Sequence, residues 1–231
     1  MSLILITGAS KGIGKAAASQ FINNGDEVIN ISRTPSDLKG VRNISLDLSA
    51  EDAPEQVAEF AEGISNQEIH LIHNAALLIS DQIASLETKQ FKAVVSLNVI
   101  APQILNLCLL PKMNRGSSII YIGSTLSEKA VKNSFSYVTS KHAVVGMMRA
   151  TCQDLAGRNI HTACICPGFT NTEMLREHVG GSEEALEMVG NLSAYGRLVE
   201  PEEIAETIRF VSKSPALNGT IIHANLGQIE S

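Results

Sequence analysis

Short apolar runs alternate with longer segments of helical periodicity along this 231-residue chain. The runs are apolar at nearly every position, which is typical of strands in a parallel sheet covered by helices on both faces. The alternation therefore predicts a doubly wound α/β fold of about seven strands, in one domain over residues 1–231. The predicted strands are Leu3–Ile6, Glu27–Ile31, Val41–Leu46, Ile69–Ile72, Ser118–Ile122, Ile160–Ile165 and Thr220–His223.

The helices predicted between these strands carry recognisable end signals. Gly25 ends the first helix, Ser49 with Asp52 forms a capping box before the second, and Pro201 suits the first turn of the last. Residues 168–198 are rich in Gly and Glu and are expected to be irregular. The predicted helices are Gly12–Asn24, Pro54–Ala61, Thr88–Leu110 with a bend at Pro102, Ser136–Ala156, and a last one from Pro201 to about Val211.

The charge balance and the cysteines exclude several classes of partner and site. Eighteen Lys and Arg against 24 Asp and Glu give a net charge of −6, which argues against nucleic-acid binding and a polybasic membrane anchor. The four cysteines form no C-x-x-C pair, which favours buried thiols in a reduced, cytoplasmic protein. The N-terminal residues lack the basic start of a signal peptide.

One uncharged stretch, residues 93–111, approaches the length of a membrane span. It is interrupted by Asn98, Pro102, Gln103 and Asn106. We therefore expect a helix buried in protein and no membrane partner.

A glycine-rich turn over Thr7–Gly14 follows the first strand directly and precedes a helix. Glycines allow a tight turn and close backbone approach, and the N–H groups of the helix N-terminus can bind a pyrophosphate. The context is that of a dinucleotide site in a Rossmann-type sheet, with an ordinary βα turn as the alternative. The expected cofactor contacts in this turn are Gly8, Ser10, Lys11, Gly12, Ile13 and Gly14.

The end of the second strand indicates which nicotinamide cofactor binds. It reads Asn30-Ile31-Ser32-Arg33, without the acidic residue that would accept the adenosine ribose hydroxyls. Arg33, with Lys11 nearby and Ser32 beside it, can hold a 2′-phosphate, unless both cations are simply solvated surface groups. NADP(H) is favoured and NAD(H) remains possible.

Four polar residues form a constellation suited to carbonyl chemistry. Tyr137 and Lys141 lie four apart at a helix start and share one face, and Ser124 follows a predicted strand thirteen residues earlier. Asn98 stands within the uncharged helix. A carbonyl that accepts hydride needs a proton, which Tyr137 can supply beside the Lys141 ammonium, while Ser124 donates to the substrate oxygen.

With these motifs in this order, the chain resembles the short-chain dehydrogenase/reductase family over nearly its whole length. The resemblance implies a catalytic tetrad of Asn98, Ser124, Tyr137 and Lys141, in which Asn98 supports a water-linked proton relay. Tyr137 and Lys141 would also contact the cofactor. It further implies Asp47 and Leu48 at the adenine, Asn74 and Ala75 at the adenosine ribose, and Pro167, Gly168, Thr170 and Thr172 at the nicotinamide.

The chain departs from the family pattern at two places. His73-Asn74-Ala75-Ala76 stands where Asn-Asn-Ala-Gly is usual, and His73 can replace the first Asn only in part. Ala224-Asn225-Leu226-Gly227 stands where Asp-Gly-Gly is common. Both changes bear on pocket shape rather than on the tetrad.

The remaining features concern the lid, the histidines and the oligomer. Residues 173–196 correspond to the family's mobile substrate lid, and their apolar side chains either contact a hydrophobic substrate or pack the lid onto the body. His70 and His73, three apart, should lie on opposite faces of their strand. Helices 88–110 and 136–156 carry so little charge that they predict a homodimer or homotetramer. No metal site is predicted.

These observations predict an NADP(H)-dependent oxidoreductase that interconverts a ketone or aldehyde with an alcohol. A non-catalytic protein that senses NADP(H) and acts by binding a partner is the alternative. A sugar-nucleotide epimerase is disfavoured by its different glycine spacing and longer chain.

Overall fold

The computed structural model describes residues 1–228 and contains a seven-stranded parallel sheet in the order β3-β2-β1-β4-β5-β6-β7. This confirms the predicted doubly wound α/β fold. The strands are β1 Leu3–Thr7, β2 Glu27–Ser32, β3 Val41–Ser45, β4 Ile69–His73, β5 Ser118–Ile122, β6 His161–Pro167 and β7 Ile221–Ala224.

Helices cover both faces of this sheet. Side chains of α2, α4 and α5 pack on one face, and those of α1 and α8 pack on the other. The helices are α1 Gly12–Asn23, α2 Ala53–Glu62, α3 Thr88–Val95, α4 Ala101–Leu109, α5 Phe135–Asp154, α6 Glu173–His178, α7 Glu183–Gly190 and α8 Pro201–Ser212.

The first strand shows why the apolar runs are continuous. Leu3 and Leu5 of β1 point into the core beneath α2, α4 and α5, whereas Ile4 and Ile6 point into the core beneath α1 and α8. Each fully buried Leu or Ile contributes about 1.5–3 kcal/mol of transfer free energy. A polar side chain on either face would lose that contribution, so both faces select apolar residues.

The strand order reverses between β1 and β4. The chain runs from β1 outward to β2 and β3, and then crosses back to add β4 on the other side of β1. Ligands of such sheets bind at this reversal, in the crevice beyond the carboxyl ends of the two strands. The glycine-rich turn after β1 and the His73–Ala76 segment after β4 therefore face each other there.

The long helix predicted over Thr88–Leu110 is interrupted by a π-helical turn, Ser96–Ile100, between α3 and α4. Ala101 N–H donates to the Ser96 carbonyl, five residues back. Pro102, in the first turn of α4, has no N–H to offer the Asn98 carbonyl. The backbone widens at this point, and the wide turn carries Asn98.

The capping box predicted from Ser49 and Asp52 is wrong. The Ser49 hydroxyl donates to Asp47 Oδ1 at 2.6 Å, and Asp52 Oδ2 accepts from the Gln56 side chain at 2.7 Å. Helix α2 begins at Ala53 without a side-chain cap, and Pro54 occupies its first turn. The turn after β3 thus uses Ser49 to hold Asp47 rather than to start the helix.

The prediction that residues 168–198 are irregular is also wrong in part, because α6 and α7 lie there. Thr172 accepts from Leu175 N–H at 3.3 Å, and Ser182 accepts from Ala185 N–H at 3.3 Å. These hydroxyl N-caps start two helices too short for a periodic signal. Leu186 is buried, whereas Met188 and Tyr195 are exposed.

Within residues 1–228, the helical stretch Thr88–Lys112 is long and apolar enough, by length and composition alone, to cross a membrane. Core helices of soluble proteins share this length and composition. Of its most apolar window, 33% is buried inside the protein. The exposed remainder includes Ile100 and Leu107, which present an apolar surface on the outside of the molecule.

A buried polar chain ties β4 to α4, β5 and α5. His73 Nε2 donates to Asn106 Oδ1 at 2.8 Å, Asn106 Nδ2 donates to the Tyr121 hydroxyl at 2.7 Å, and that hydroxyl lies 3.1 Å from Thr151 Oγ1. The His73 Nδ1 atom has no hydrogen-bond partner among residues 1–228. His70 bonds Ser118 at 2.9 Å on the other face, which confirms the predicted separation.

Burial makes this histidine a source of acid sensitivity. Desolvation lowers the pKa of His73 from 6.5 to about 4, although the Asn106 hydrogen bond opposes the shift. Between these two values the unfolded chain binds the proton and the folded chain does not. The free energy of unfolding therefore falls as the pH decreases through this window.

Between pH 7 and pH 5, we expect the unfolding free energy of the wild type to fall by about 2 kcal/mol more than that of the His73→Asn variant. Urea denaturation at both pH values measures the difference. His142→Asn, which removes an exposed histidine, is the control and should follow the wild type. Equal pH dependence in His73→Asn and the wild type would contradict the prediction.

Candidate functional site

The glycine-rich turn closes tightly after β1. Gly8 and Gly12 have φ of +72° and +54°, and a Cβ on Gly14 would overlap the Gly8 carbonyl oxygen and lie 2.5 Å from Asn74 Nδ2. Ala9 N–H donates to Asn30 Oδ1 at 2.8 Å. No larger residue fits at position 14, because the helix start packs directly on the turn.

The turn after β1 and the segment after β4 are joined by hydrogen bonds. Asn74 Nδ2 donates to the carbonyls of Thr7 and Gly8, each at 3.0 Å. The Thr7 hydroxyl oxygen accepts from the N–H groups of Asn74 and Ala75, each at 2.9 Å. Asn74 and Ala75 therefore lie against the glycine-rich turn, at the reversal of strand order.

The N-terminus of α1 opens into this crevice and is suited to an anion. Its first turn carries no acidic residue and no side-chain cap. Free N–H groups and the helix dipole both favour negative charge at such an end. Ser10 lies on the turn, and Gly12 and Ile13 lie in the first turn of the helix. These residues fit the pyrophosphate of a dinucleotide.

The two cations predicted to bind a 2′-phosphate both lie near carboxylates. Lys11 Nζ is 3.8 Å from Glu177 of the lid, and Arg33 Nη1 is 3.9 Å from Asp47. Lys11, Glu177 and Arg33 are largely exposed, and Asp47 is half-buried. Such surface pairs contribute only about 0–1 kcal/mol each, so either cation is available to another anion.

At the end of β3, Asp47 presents a polar side chain to the site, whereas the Leu48 side chain points into the core. Hydrogen bonds from the Ser49 hydroxyl and N–H, with a smaller contribution from Arg33, hold the pKa of Asp47 below its usual range. The Leu48 side chain is buried in the core, so only Asp47 offers a polar group here. The Ser32 hydroxyl donates to the Thr34 carbonyl at 2.6 Å.

Asn30 supports this end of the site and was not predicted. It is fully buried, and besides accepting from Ala9 it donates to the Thr34 carbonyl at 3.2 Å and to Asn43 Oδ1 at 2.9 Å. It thereby holds the glycine-rich turn, β3 and the segment after β2 together. The available signal was a polar residue at the centre of an otherwise apolar strand.

Helix α5 carries Tyr137 and Lys141 to the carboxyl end of β5. Lys141 is 4% exposed, its Nζ lies 5.4 Å from the centroid of the Tyr137 ring, and it donates to the Ile122 carbonyl at 2.7 Å. A buried ammonium requires such partners. Since Ile122 ends β5 two residues before Ser124, this bond also places Lys141 beside the strand end that carries Ser124.

Ser124 begins a short 3₁₀ turn, Thr125–Ser127, in extended backbone conformation. Its hydroxyl oxygen accepts from Leu126 N–H at 3.1 Å. Its own N–H donates to the Ser127 hydroxyl oxygen, also at 3.1 Å. The Ser124 hydroxyl proton is therefore left to donate elsewhere. Ser127 was not predicted from the sequence.

Asn98 links the π-helical turn to both sides of the site. Its Oδ1 accepts from Leu77 N–H at 2.7 Å, and its Nδ2 donates to the Leu77 carbonyl at 3.0 Å and to Ser140 Oγ at 2.9 Å. Ser140 in turn donates to the Tyr137 carbonyl at 2.8 Å. The Asn98 amide is thus fully engaged in positioning the Leu77 segment and α5.

The segment after β6 returns the chain to the glycine-rich turn. Pro167 ends β6, the Thr170 hydroxyl donates to the Gly168 carbonyl at 3.0 Å, and the Thr172 methyl lies 3.2 Å from where a Cβ on Gly12 would be. A Cβ on Gly168 would approach Asn225 at 2.8 Å, so the unusual tail packs directly on this segment.

The structure therefore brings together two groups of side chains at the carboxyl edge of the sheet. One surrounds the glycine-rich turn and suits a dinucleotide. In the other, Ser140 links Asn98 to the Tyr137 carbonyl, and the Lys141 ammonium lies 5.4 Å from the Tyr137 ring centroid beside the Ser124 turn. Among residues 1–228, no group of three His, Cys, Asp or Glu side chains is arranged to hold a metal ion.

Comparisons with known proteins match residues 2–181 to the family described as short chain dehydrogenase. NADPH-dependent aldehyde reductase 2 of Arabidopsis thaliana is 26% identical, over 96% of this chain and 92% of the relative. The crystal structure of a short chain dehydrogenase family protein from Francisella tularensis has a TM-score of 0.89 and 31% identity, over 98% of both chains.

Solved structures of this fold hold nicotinamide cofactors. A 3-oxoacyl (acyl-carrier-protein) reductase of Agrobacterium tumefaciens with NADP bound has a TM-score of 0.88 at 24% identity, over 98% of this chain and 93% of that one. A 4-hydroxyisoleucine dehydrogenase complexed with NADH has a TM-score of 0.86 at 22% identity, over 98% of each chain.

Proposed function

Because the chain belongs to the short-chain dehydrogenase family, whose members are NAD(P)-dependent oxidoreductases, we propose that it interconverts a ketone or aldehyde with an alcohol, using NADP(H). The observation that carries this proposal is the buried Lys141, whose ammonium lies 5.4 Å from the Tyr137 ring centroid and bonds the strand end that leads to Ser124. A protein needs a reason to bury an ammonium, and proton transfer at Tyr137 is one.

The residues at the carboxyl edge of the sheet divide the chemistry among them. When bound, the nicotinamide cofactor supplies or accepts the hydride at the carbonyl carbon. The Ser124 hydroxyl, whose oxygen accepts from Leu126 N–H, donates to the substrate oxygen and orients it. The Tyr137 hydroxyl gives its proton to that oxygen in the direction of reduction and takes it back in oxidation.

Lys141 and Asn98 support that proton transfer. The Lys141 charge stabilises the negative charge that develops on the Tyr137 oxygen. Asn98 holds the Leu77 segment and, through Ser140, the first turn of α5. Asn98 therefore supports a water-linked proton relay by holding the segments beside it. Its own side-chain amide, which is already fully hydrogen-bonded, does not take part in the relay.

The proposed preference for NADP(H) rests on Lys11 and Arg33. No acidic residue ends β2, and both cations stand at the mouth of the dinucleotide crevice with only weak surface partners. An NADPH-dependent relative and solved neighbours that hold NADP support the choice. A neighbour that holds NADH shows that the fold accepts either cofactor.

We also propose that two or four copies of the chain associate through α4 and α5. Ile100 and Leu107 are exposed on the π-helical turn and α4, while α5 exposes small residues at Ala143, Gly146 and Ala150. Small exposed side chains allow helices of two copies to approach closely. This arrangement would cover the apolar surface of the Thr88–Lys112 stretch without a membrane.

A cytoplasmic location and a small carbonyl or alcohol substrate complete the proposal, with no nucleic-acid or membrane partner. The four cysteines are all free thiols, as expected for a reducing compartment. The net charge of −6 disfavours an anionic polymer or anionic lipid surface.

Replacement of Tyr137 tests the proposed reaction. We expect Tyr137→Phe to lower turnover by roughly 10²–10⁴-fold while NADPH binding is retained, because only the proton donor is lost. The assay follows NADPH absorbance with 4-nitrobenzaldehyde, cyclohexanone and ethyl acetoacetate, and calorimetry measures NADPH affinity. Tyr121→Phe, which removes a buried hydroxyl away from the proposed tetrad, should keep its turnover. A non-catalytic NADP(H) sensor would bind NADPH but turn over none of the three compounds in any variant.

Titration of the purified protein with NADPH and NADH tests the cofactor preference. We expect tighter binding of NADPH, and loss of about 10-fold in NADPH affinity in Lys11→Ala and in Arg33→Ala, because each removes a charge-assisted hydrogen bond. NADH affinity should stay within about twofold, and Lys89→Ala on the exposed face of α3 is the control. Tighter binding of NADH by the wild type would refute the role of both cations.

Charge placed on the exposed helix face tests the proposed assembly. We expect Leu107→Glu to shift the wild-type dimer or tetramer toward monomers in sedimentation velocity, because it would bury an unpaired carboxylate between copies. Tyr195→Glu, which changes an exposed lid residue in the same way, should keep the wild-type mass. A monomeric wild type at micromolar concentration would contradict the proposal.

A further inference from the structure

The Ser124 turn contains a second serine, Ser127, which is buried and which the proposed reaction does not use. Ser127 is 2% exposed, and its hydroxyl oxygen lies 3.1 Å from the Ser124 N–H that donates to it. The Ser124 hydroxyl oxygen in turn accepts a hydrogen bond from the Leu126 N–H, also at 3.1 Å. The two bonds close one turn of chain and constrain both the backbone and the side chain of Ser124.

Two cysteines of β6 enclose the same turn. The sulfur atoms of Cys164 and Cys166 lie 3.9 Å apart and belong to the buried core. A Cβ on Gly123 would lie 2.8 Å from each sulfur and 2.9 Å from Ser127 Oγ. These three side chains therefore leave no room for a side chain at position 123 and pack directly on the backbone before Ser124.

The two buried thiols lie next to Ser127. The Cys164 and Cys166 sulfurs pair at 3.9 Å, and this contact lowers the pKa of Cys166 despite its burial, with further lowering by the Ser124 N–H and the Ser127 hydroxyl. Ser127 accepts from the Ser124 N–H, and its hydroxyl oxygen and the Cys166 sulfur both crowd the same space beside Gly123. The Ser127 hydroxyl is thus the hydrogen-bond acceptor in the buried region behind the proposed catalytic serine.

The outer side of the turn is held less firmly. His223 Nε2 lies 2.8 Å from Glu128 Oε2, and both side chains are 40% exposed or more. Exposed pairs of this kind are worth about 0–1 kcal/mol and permit side-chain movement. The inner contacts made by Ser127 therefore dominate the position of the turn.

We propose that Ser127 is a positioning residue for catalysis: it fixes the Ser124 backbone so that the Ser124 hydroxyl points its proton at the substrate oxygen. This inference rests on the proposed function. Without the Ser127 hydroxyl, the Ser124 N–H must seek another acceptor, with the Cys166 sulfur next to it. The resulting peptide rotation displaces the Ser124 hydroxyl, and displacements on the order of 1 Å reduce rates by up to about 10²-fold.

The test is a double-mutant cycle with Ser127→Ala, Ser124→Ala and the double variant. Turnover is measured with NADPH and whichever of 4-nitrobenzaldehyde, cyclohexanone or ethyl acetoacetate the wild type reduces fastest. We expect Ser127→Ala to lower kcat by roughly 10–100-fold with an unchanged NADPH Kd, and to have no effect once Ser124 is Ala. Thr162→Val on β6, which removes a buried hydroxyl without a hydrogen-bond partner, is the control for hydroxyl loss and should match the wild type.

Crystal structures of the wild type and of Ser127→Ala give a readout that needs no turnover. We expect the Ser124 hydroxyl oxygen to move by about 0.5 Å or more, or to change rotamer, while Tyr137 stays in place. An unmoved Ser124 hydroxyl overturns the inference, and so does an equal loss of kcat from Ser127→Ala in the presence and absence of the Ser124 hydroxyl.

The cycle separates this inference from the proposed function. If Ser124→Ala keeps the wild-type rate, the proposed role of Ser124 fails. If Ser124→Ala is slow but Ser127→Ala is as fast as the wild type, the proposed function stands and the positioning role of Ser127 is refuted. Denaturation midpoints of all variants identify any that fail to fold. If Ser127→Ala fails to fold, Ser127→Gly replaces it in the cycle.

Discussion

The contact between the glycine-rich turn and the segment after β4 is the constraint on which the rest of the site depends. Asn74 bonds the carbonyls of Thr7 and Gly8, the Thr7 hydroxyl accepts two N–H groups in return, and Gly14 packs against both partners. The bonds join β1 to β4 at the reversal of strand order. They also occupy the carbonyl groups of Thr7 and Gly8. The N-terminus of α1, beside them, is then suited to bind an anion.

In the proposed catalytic half of the site, buried polar groups are likewise engaged in hydrogen bonds. The side-chain amide of Asn98 and the ammonium of Lys141 are both buried and bonded to backbone or hydroxyl groups. Each residue therefore has one position rather than several. The π-helical turn makes this possible, because it places Asn98 against both the Leu77 segment and Ser140. A regular α-helix through Pro102 would leave the Asn98 carbonyl facing a proline ring.

The residues at the two departures from the family pattern make contacts of their own near the site. His73 points away from the glycine-rich turn and bonds Asn106 within a chain that reaches Tyr121 and Thr151. One ring nitrogen of His73 lacks a hydrogen-bond partner among residues 1–228. Asn225 packs on Gly168, which places the altered tail against the segment that the family uses at the nicotinamide.

The sequence by itself determined the sheet, the order of its helices and the chemistry-bearing motifs. Continuous apolar runs, a glycine turn after the first strand and a Tyr and Lys on one helical face are local patterns, and local patterns can be read along the chain. Only the tertiary structure decided the contacts between distant segments. The π-helical turn that places Asn98 against Leu77 and Ser140, the buried Asn30 that bonds Ala9 and Asn43, and the packing of Cys164 and Cys166 beside Gly123 all depend on which segments folding brings together. Ser49 shows the difference: its spacing from Asp52 suits a capping box, but the nearer Asp47 carboxylate takes its hydroxyl. A hydrogen bond goes to the partner that folding brings closest, and sequence spacing does not contain that distance.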